Sequence, residues 1–176
     1  MIYFSGFCLS NESELFKTWL NKSNYTVAGF SYGAIKAIEY ALNSKTRIDR
    51  LQLFSPAFFN NKDKKFKKLQ LLYFAKDKNA YIDNFLKNVS DNSSIDLKNY
   101  FKEGTKEQLE ELLNYNWQKE KLEALLKKGV VIEVFLGESD KIIDSKEALD
   151  FFKSLTTTYF IKNANHLLKA KEWQIL

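Results

Sequence analysis

Strand-like and helix-like stretches alternate at both ends of this 176-residue chain, and a long middle stretch carries no strand signal. Ile2-Tyr3-Phe4-Ser5 reads as a short strand closed by Gly6. A helix is expected from Asn11-Glu12-Ser13-Glu14, with Leu15, Phe16, Trp19 and Leu20 at helical spacing. Tyr25 to Ala28 is a second strand and Tyr32 to Leu42 a helix apolar on more than one face, as a deeply buried helix is. Arg50 to Phe54 is a third strand, stopped by Pro56, the one proline. Residues 56–128 read as helices joined by polar linkers. The opening pattern then returns, with a strong strand at Val130 to Leu136, a helix at Ser145 to Leu155 and a last strand at Thr157 to Ile161. Strands alternating with helices imply a parallel sheet with right-handed crossovers. The expected layout is an α/β core from residues 1–55 and 129–176, with 56–128 as an all-helical cap inserted in a single compact domain.

The charge balance narrows the partners. Of 27 basic residues 25 are Lys, against 22 acidic ones, for a net charge of +5. A nucleic-acid reader uses the planar fork of arginine, and two arginines argue against one. One cysteine (Cys8) and one histidine (His166) leave no basis for a disulfide, a metal site or a Cys-based cofactor. No apolar run approaches a membrane span, and the start Met1-Ile2-Tyr3-Phe4 lacks a signal-peptide pattern. The expectation is a soluble, cytoplasmic protein that uses neither metal nor cofactor.

Gly29-Phe30-Ser31-Tyr32-Gly33 lies between a strand and a helix. Such a turn is so tight that residues two before and two after the serine must be small. It projects the hydroxyl above the carboxyl end of the sheet, at a helix N-terminus where negative charge is favoured. The pattern resembles the nucleophile elbow of α/β-hydrolases. A serine nucleophile needs a base, and His166, after the last strand, is the one histidine. The acid is sought in the loop after the strong strand, among Glu138, Asp140 and Asp144. Asp140 is favoured because the turn past Gly137 aims it back over the sheet; the other two read as solvated or helix-capping groups. The backbone amides of Tyr32 and Phe7 are the candidate oxyanion donors. The alternative for Phe7 is a plain core aromatic, and Cys8 reads as a small buried thiol.

Together, Phe4-Ser5-Gly6-Phe7, the elbow with Ala34 to Tyr40 behind it, Leu53-Phe54-Ser55-Pro56, the acid loop and Asn165-His166-Leu167-Leu168 resemble the compact type of pimeloyl-acyl carrier protein methyl ester esterase of biotin synthesis. The resemblance spans essentially the whole chain. It implies a trimmed α/β-hydrolase with a mostly parallel sheet and an inserted all-helical cap. It implies a serine esterase that cleaves the methyl ester of a pimeloyl chain on an acyl carrier protein, with Ser31, His166 and Asp140 as the triad. The inserted segment carries 15 Lys against 11 acidic residues. Lys62, Lys64, Lys65, Lys67 and Lys68 form a candidate docking surface for the acidic carrier; their other reading is a solvated helix face. The rings of Phe66, Tyr73, Phe74, Tyr81 and Phe85 are either a lining for the acyl chain or the packing of cap on core. A thioesterase or general short-chain carboxylesterase uses the same nucleophile, and a non-catalytic hydrolase-fold binding protein is a third reading.

Overall fold

In the computed structural model, which describes residues 1–91 and 93–170, five strands form one sheet. They are β1 (Ile2–Phe4), β2 (Thr26–Phe30), β3 (Arg50–Phe54), β4 (Val131–Gly137) and β5 (Thr157–Ile161), in that spatial order. Each neighbouring pair is parallel, so the expected mostly parallel sheet is wholly parallel among the described residues. Side chains alternate between faces along a strand. One face presents Val27, Leu51, Leu53, Ile132 and Val134, all buried. Against it pack α1 (Tyr32–Asn43), α5 (Lys119–Lys127) and α6 (Ser145–Phe152). Ile35 and Ile38 of α1 are wholly enclosed there, and burying each contributes about 1.5–3 kcal/mol.

The other face holds a row of rings in register: Phe30 beside Phe54, Phe54 beside Phe135, Phe135 beside Tyr159. Phe16 covers this row, 4.9 Å from Phe30 and 4.8 Å from Phe54 between ring centres. Gln52 ties the same segment down. Its Nε2 donates to Trp19 O (2.9 Å) and its Oε1 accepts from Asn21 N (2.8 Å).

Two expectations need correction. Residues 11–20 form only a 3-10 turn, Glu12–Phe16, because Asn11 is left-handed (φ 60°) and makes no capping bond. The Glu12 side chain turns inward instead of standing in an exposed first helical turn. The connection through this turn also crosses the face opposite α1. Every step from β1 to β5 moves the same way across the sheet, so the β1–β2 connection has the opposite hand to those through α1 and α6. One hand prevails where a helix must pack back onto a twisted sheet, and a connection without an α-helix escapes that condition.

Between β3 and β4 lie α2 (Lys64–Lys76), α3 (Lys78–Val89), a 3-10 turn (Leu97–Tyr100), α4 (Lys106–Asn114) and α5. The starts of α2, α3 and α4 are capped by side chains. Asp63 accepts from Phe66 N, Asp77 from Ala80 N, and Thr105 forms a capping box with Gln108. A neck joins the two ends of the segment. Asn60 Nδ2 donates to Trp117 O (2.8 Å), Trp117 N donates to Asn60 Oδ1 (3.0 Å), and the indole N–H donates to Ala57 O (2.9 Å).

Candidate active site

β2 is buried along its whole length and runs straight into the elbow. Ser31 N donates to Phe54 O (2.9 Å), keeping the sheet ladder to the last residue. The backbone then breaks sharply, with Ser31 at φ 52° and ψ −112°. A non-glycine residue held there costs about 1–3 kcal/mol, and such strain persists only where the surroundings enforce it. Here they do. Ser31 O accepts from Ala34 N and Ala57 N, both at 3.1 Å. A Cβ on Gly29 would lie 2.1 Å from Gly33 O, and one on Gly33 would lie 2.0 Å from Phe4 O. The elbow therefore sits pressed against the exit of β1, and Ser31 is 3% exposed.

The acid and histidine loops are brought together at Gly137, where a Cβ would lie 2.3 Å from Asn165 O. Asp140 Oδ2 stands 2.6 Å from His166 Nδ1, and both side chains are fully buried. The other carboxylate oxygen accepts from Ile142 N (2.7 Å) and Ile143 N (3.1 Å). These amides orient the carboxylate, which can only accept, so the neutral imidazole facing it is the Nδ1–H tautomer with its lone pair on Nε2. Nε2 is buried and has no hydrogen-bond partner among the described residues. The imidazole packs on the ring of Phe30, 5.0 Å between centres, directly before the elbow serine. Of the three carboxylates considered, Asp140 is the one that meets His166; Asp144 caps α6 through Glu147 N, and Glu138 accepts from Asn163 N. The serine hydroxyl and Nε2 do not form a hydrogen bond. In unliganded sites such contacts are commonly open and tighten around substrate.

Two supporting residues have little sequence signal. Ser55, left-handed at φ 40°, donates through Oγ to His166 O (2.7 Å). Asn165 accepts from Leu167 N and Lys169 N and donates to Asp91 O. The habit of Asn to bond its own backbone two residues on is the one clue that pointed to this turn.

The backbone N–H groups of Phe7 and Tyr32 donate to no group among the described residues. The Phe7 ring is itself buried, against Phe74 and Phe85, so the core role and the free amide coexist. The Tyr32 hydroxyl donates to Glu111 on α4, which also pairs with Lys36, tying α1 to the insertion. Burial pushes the Tyr32 phenol up, and the Glu111 contact adds to it. Beside the acid loop is a cavity of about 270 Å³, lined by Phe59, Phe66, Tyr81, Phe85 and Ile142 and by polar groups including Asn84. Phe74 instead packs against Phe7 and Tyr81, and Tyr73 faces solvent. The lysine run divides. Lys62 and Phe66 border the acid loop, Lys65 and Lys68 flank a groove between α2 and α4, and Lys64 is exposed while Lys67 is half-buried.

No family model and no curated protein matches the sequence. Solved structures do match the fold. The carboxylesterase CesB from Bacillus subtilis superposes with a TM-score of 0.62 at 16% identity, over 97% of this chain and 78% of that one. BioG from Haemophilus influenzae superposes with 0.59 at 10% identity, over 99% and 92%. MenH from S. aureus gives 0.60 at 13% identity, over 97% and 87%. This chain has the α/β-hydrolase fold. Within it, the elbow, the Asp140–His166 pair and the free amides all lie at the carboxyl ends of the strands, where open α/β sheets bind ligands.

Proposed function

We propose that the chain is a carboxylic ester hydrolase that uses Ser31 as nucleophile, His166 as base and Asp140 as its orienting acid. The observation that carries this reading is the buried Asp140–His166 pair, whose second nitrogen finds no partner among the described residues beside the elbow. A lone pair enclosed with nothing to accept is costly unless a donor arrives. The Ser31 hydroxyl supplies that donor when substrate draws the two together. Ser31 attacks the ester carbonyl as Nε2 takes its proton, and the Phe7 and Tyr32 amides receive the negative oxygen. Nε2–H then protonates the leaving alkoxide, water adds to the acyl-enzyme by the reverse transfers, and the free acid leaves.

The substrate we propose is the methyl ester of pimeloyl-acyl carrier protein, with methanol as the leaving alcohol. Three observations support it: the sequence resemblance, the fit to BioG across nearly both chains, and a basic insertion next to the site that suits an acidic carrier. The cavity beside the acid loop offers apolar surface for the acyl chain. The deciding experiment incubates the protein with pimeloyl-acyl carrier protein methyl ester and follows methanol release, with Ser31→Ala as control. Release that vanishes in the control is expected. Ser31-dependent cleavage of p-nitrophenyl esters or acyl thioesters, with none of the methyl ester, would keep the chemistry and discard the substrate.

A further inference from the structure

Glu12 is wholly buried, yet no catalytic step above uses it. Its Oε1 accepts from Gly6 N (2.8 Å) and from the Tyr3 hydroxyl (3.2 Å). Its Oε2 is enclosed without a partner among the described residues. An apolar side chain would fill the same space without stranding an oxygen, so the bond to Gly6 N must matter where it is made. It is made in the loop between β1 and the elbow. Leu9 N donates to Gly6 O (3.2 Å), and Ser10 N and Lys102 N tie the loop's outer half to residues 98–102. Glu12 is the side chain that holds its inner half. With the Gly6 amide committed to Glu12, the next amide, Phe7, donates to no group among the described residues, and neither does that of Cys8 beyond it.

We infer that Glu12 is a positioning residue that fixes the Gly6–Phe7 peptide so that the Phe7 amide faces the developing oxyanion. The inference rests on the serine-hydrolase reading proposed above. Losing one oxyanion donor lowers kcat by about 100- to 1,000-fold, and a donor tethered through a neighbour is lost when its tether is cut. Glu12→Ala removes the acceptor. Glu12→Asp draws it back by one methylene and serves if the alanine variant fails to fold. Glu12→Gln retains an acceptor oxygen.

The test measures p-nitrophenyl butyrate hydrolysis and inhibition by an alkyl trifluoromethyl ketone, which forms a tetrahedral adduct on the serine, in all three variants beside wild type and Ser31→Ala. The expected result is a kcat lower by about 100-fold in Glu12→Ala and Glu12→Asp, with KM nearly unchanged and the ketone Ki raised in step. Glu12→Gln is expected to recover most of the loss. Wild-type kcat in folded Glu12→Asp, or a Glu12→Gln as impaired as Glu12→Ala, would overturn the inference while an inactive Ser31→Ala left the reaction class standing. Full turnover by Ser31→Ala would overturn both.

Discussion

Asp140→Asn changes one atom, and the structure fixes what that change does. The Asp140 oxygen that accepts from the Ile142 and Ile143 amides must remain an oxygen in asparagine, because an NH₂ there would face two donors. The side-chain NH₂ is then forced toward His166 Nδ1, formerly 2.6 Å from a carboxylate oxygen. It donates where the carboxylate accepted, so Nδ1 becomes the acceptor and the ring proton moves to Nε2. A protonated Nε2 takes no proton from Ser31. The wrong tautomer costs a serine enzyme about 10⁴ in kcat, or about 5.4 kcal/mol of barrier at 1.36 kcal/mol per decade. The chain has a single histidine, so a ¹⁵N-coupled proton spectrum reports this tautomer without assignment work. The paired measurements are kcat on a p-nitrophenyl ester and the imidazole ¹⁵N shifts of wild type and variant. A variant within tenfold of wild type, or one inactive with its tautomer unchanged, would refute the reasoning.

Other perturbations test neighbouring steps. Gly33→Ala places a Cβ 2.0 Å from Phe4 O. Overpacking of about 1–3 kcal/mol lowers Tm by about 2–4 °C for each kcal/mol in a chain of this size, and an elbow displaced by about 1 Å loses on the order of 100-fold in rate; unchanged melting and activity would contradict the close approach. Burial pushes the Cys8 thiol up to about 12, so a disulfide reagent at neutral pH is expected to react only after denaturant unfolds the chain, and prompt native labelling would count against its enclosure. Charge reversal of Lys64, Lys65 and Lys68 is expected to raise KM for the carrier-bound ester and spare a small soluble ester; equal loss on both would reject docking there. Asn60→Ala strips both partners from the Trp117 backbone and is expected to cost about 1–3 kcal/mol in urea unfolding, with the insertion cut earlier by protease; an unchanged midpoint would show the neck to be idle.

What was legible in the sequence was what sterics and patterning enforce. Gly29 and Gly33 announce an elbow because no other residue tolerates carbonyl oxygens at those distances. Leu51, Leu53 and the 132–136 run announce a sheet because a strand covered on both faces has nowhere to put charge. What stayed hidden was decided by partners distant in the chain. Glu12 reads as a helix-start acid, and only the fold reveals Gly6 N and the Tyr3 hydroxyl beside it. The place past Gly137 favours Asp140 in the sequence, but the imidazole that separates it from Glu138 and Asp144 comes from 26 residues away and appears only in the fold. The lysine run reads as one patch, but Lys62, ahead of α2, borders the acid loop, while helical geometry sends Lys65 and Lys68 toward the groove with α4.

The neck at Asn60 and Trp117 has a bearing on how such a protein changes over generations. Because the chain is closed at that point, the sheet registers the length of the intervening segment chiefly where that segment touches α1 through Glu111 and the loop after β1 through residues 98–102. The entropy of closing a loop grows with the logarithm of its length, about 0.6 kcal/mol for each doubling. Outside those contacts, the stretches between residues 61 and 116 are therefore free to lengthen, shorten or be exchanged at small expense to the sheet that presents Ser31. The elbow stays held by the short contacts around Gly29 and Gly33 while the region above it is open to variation.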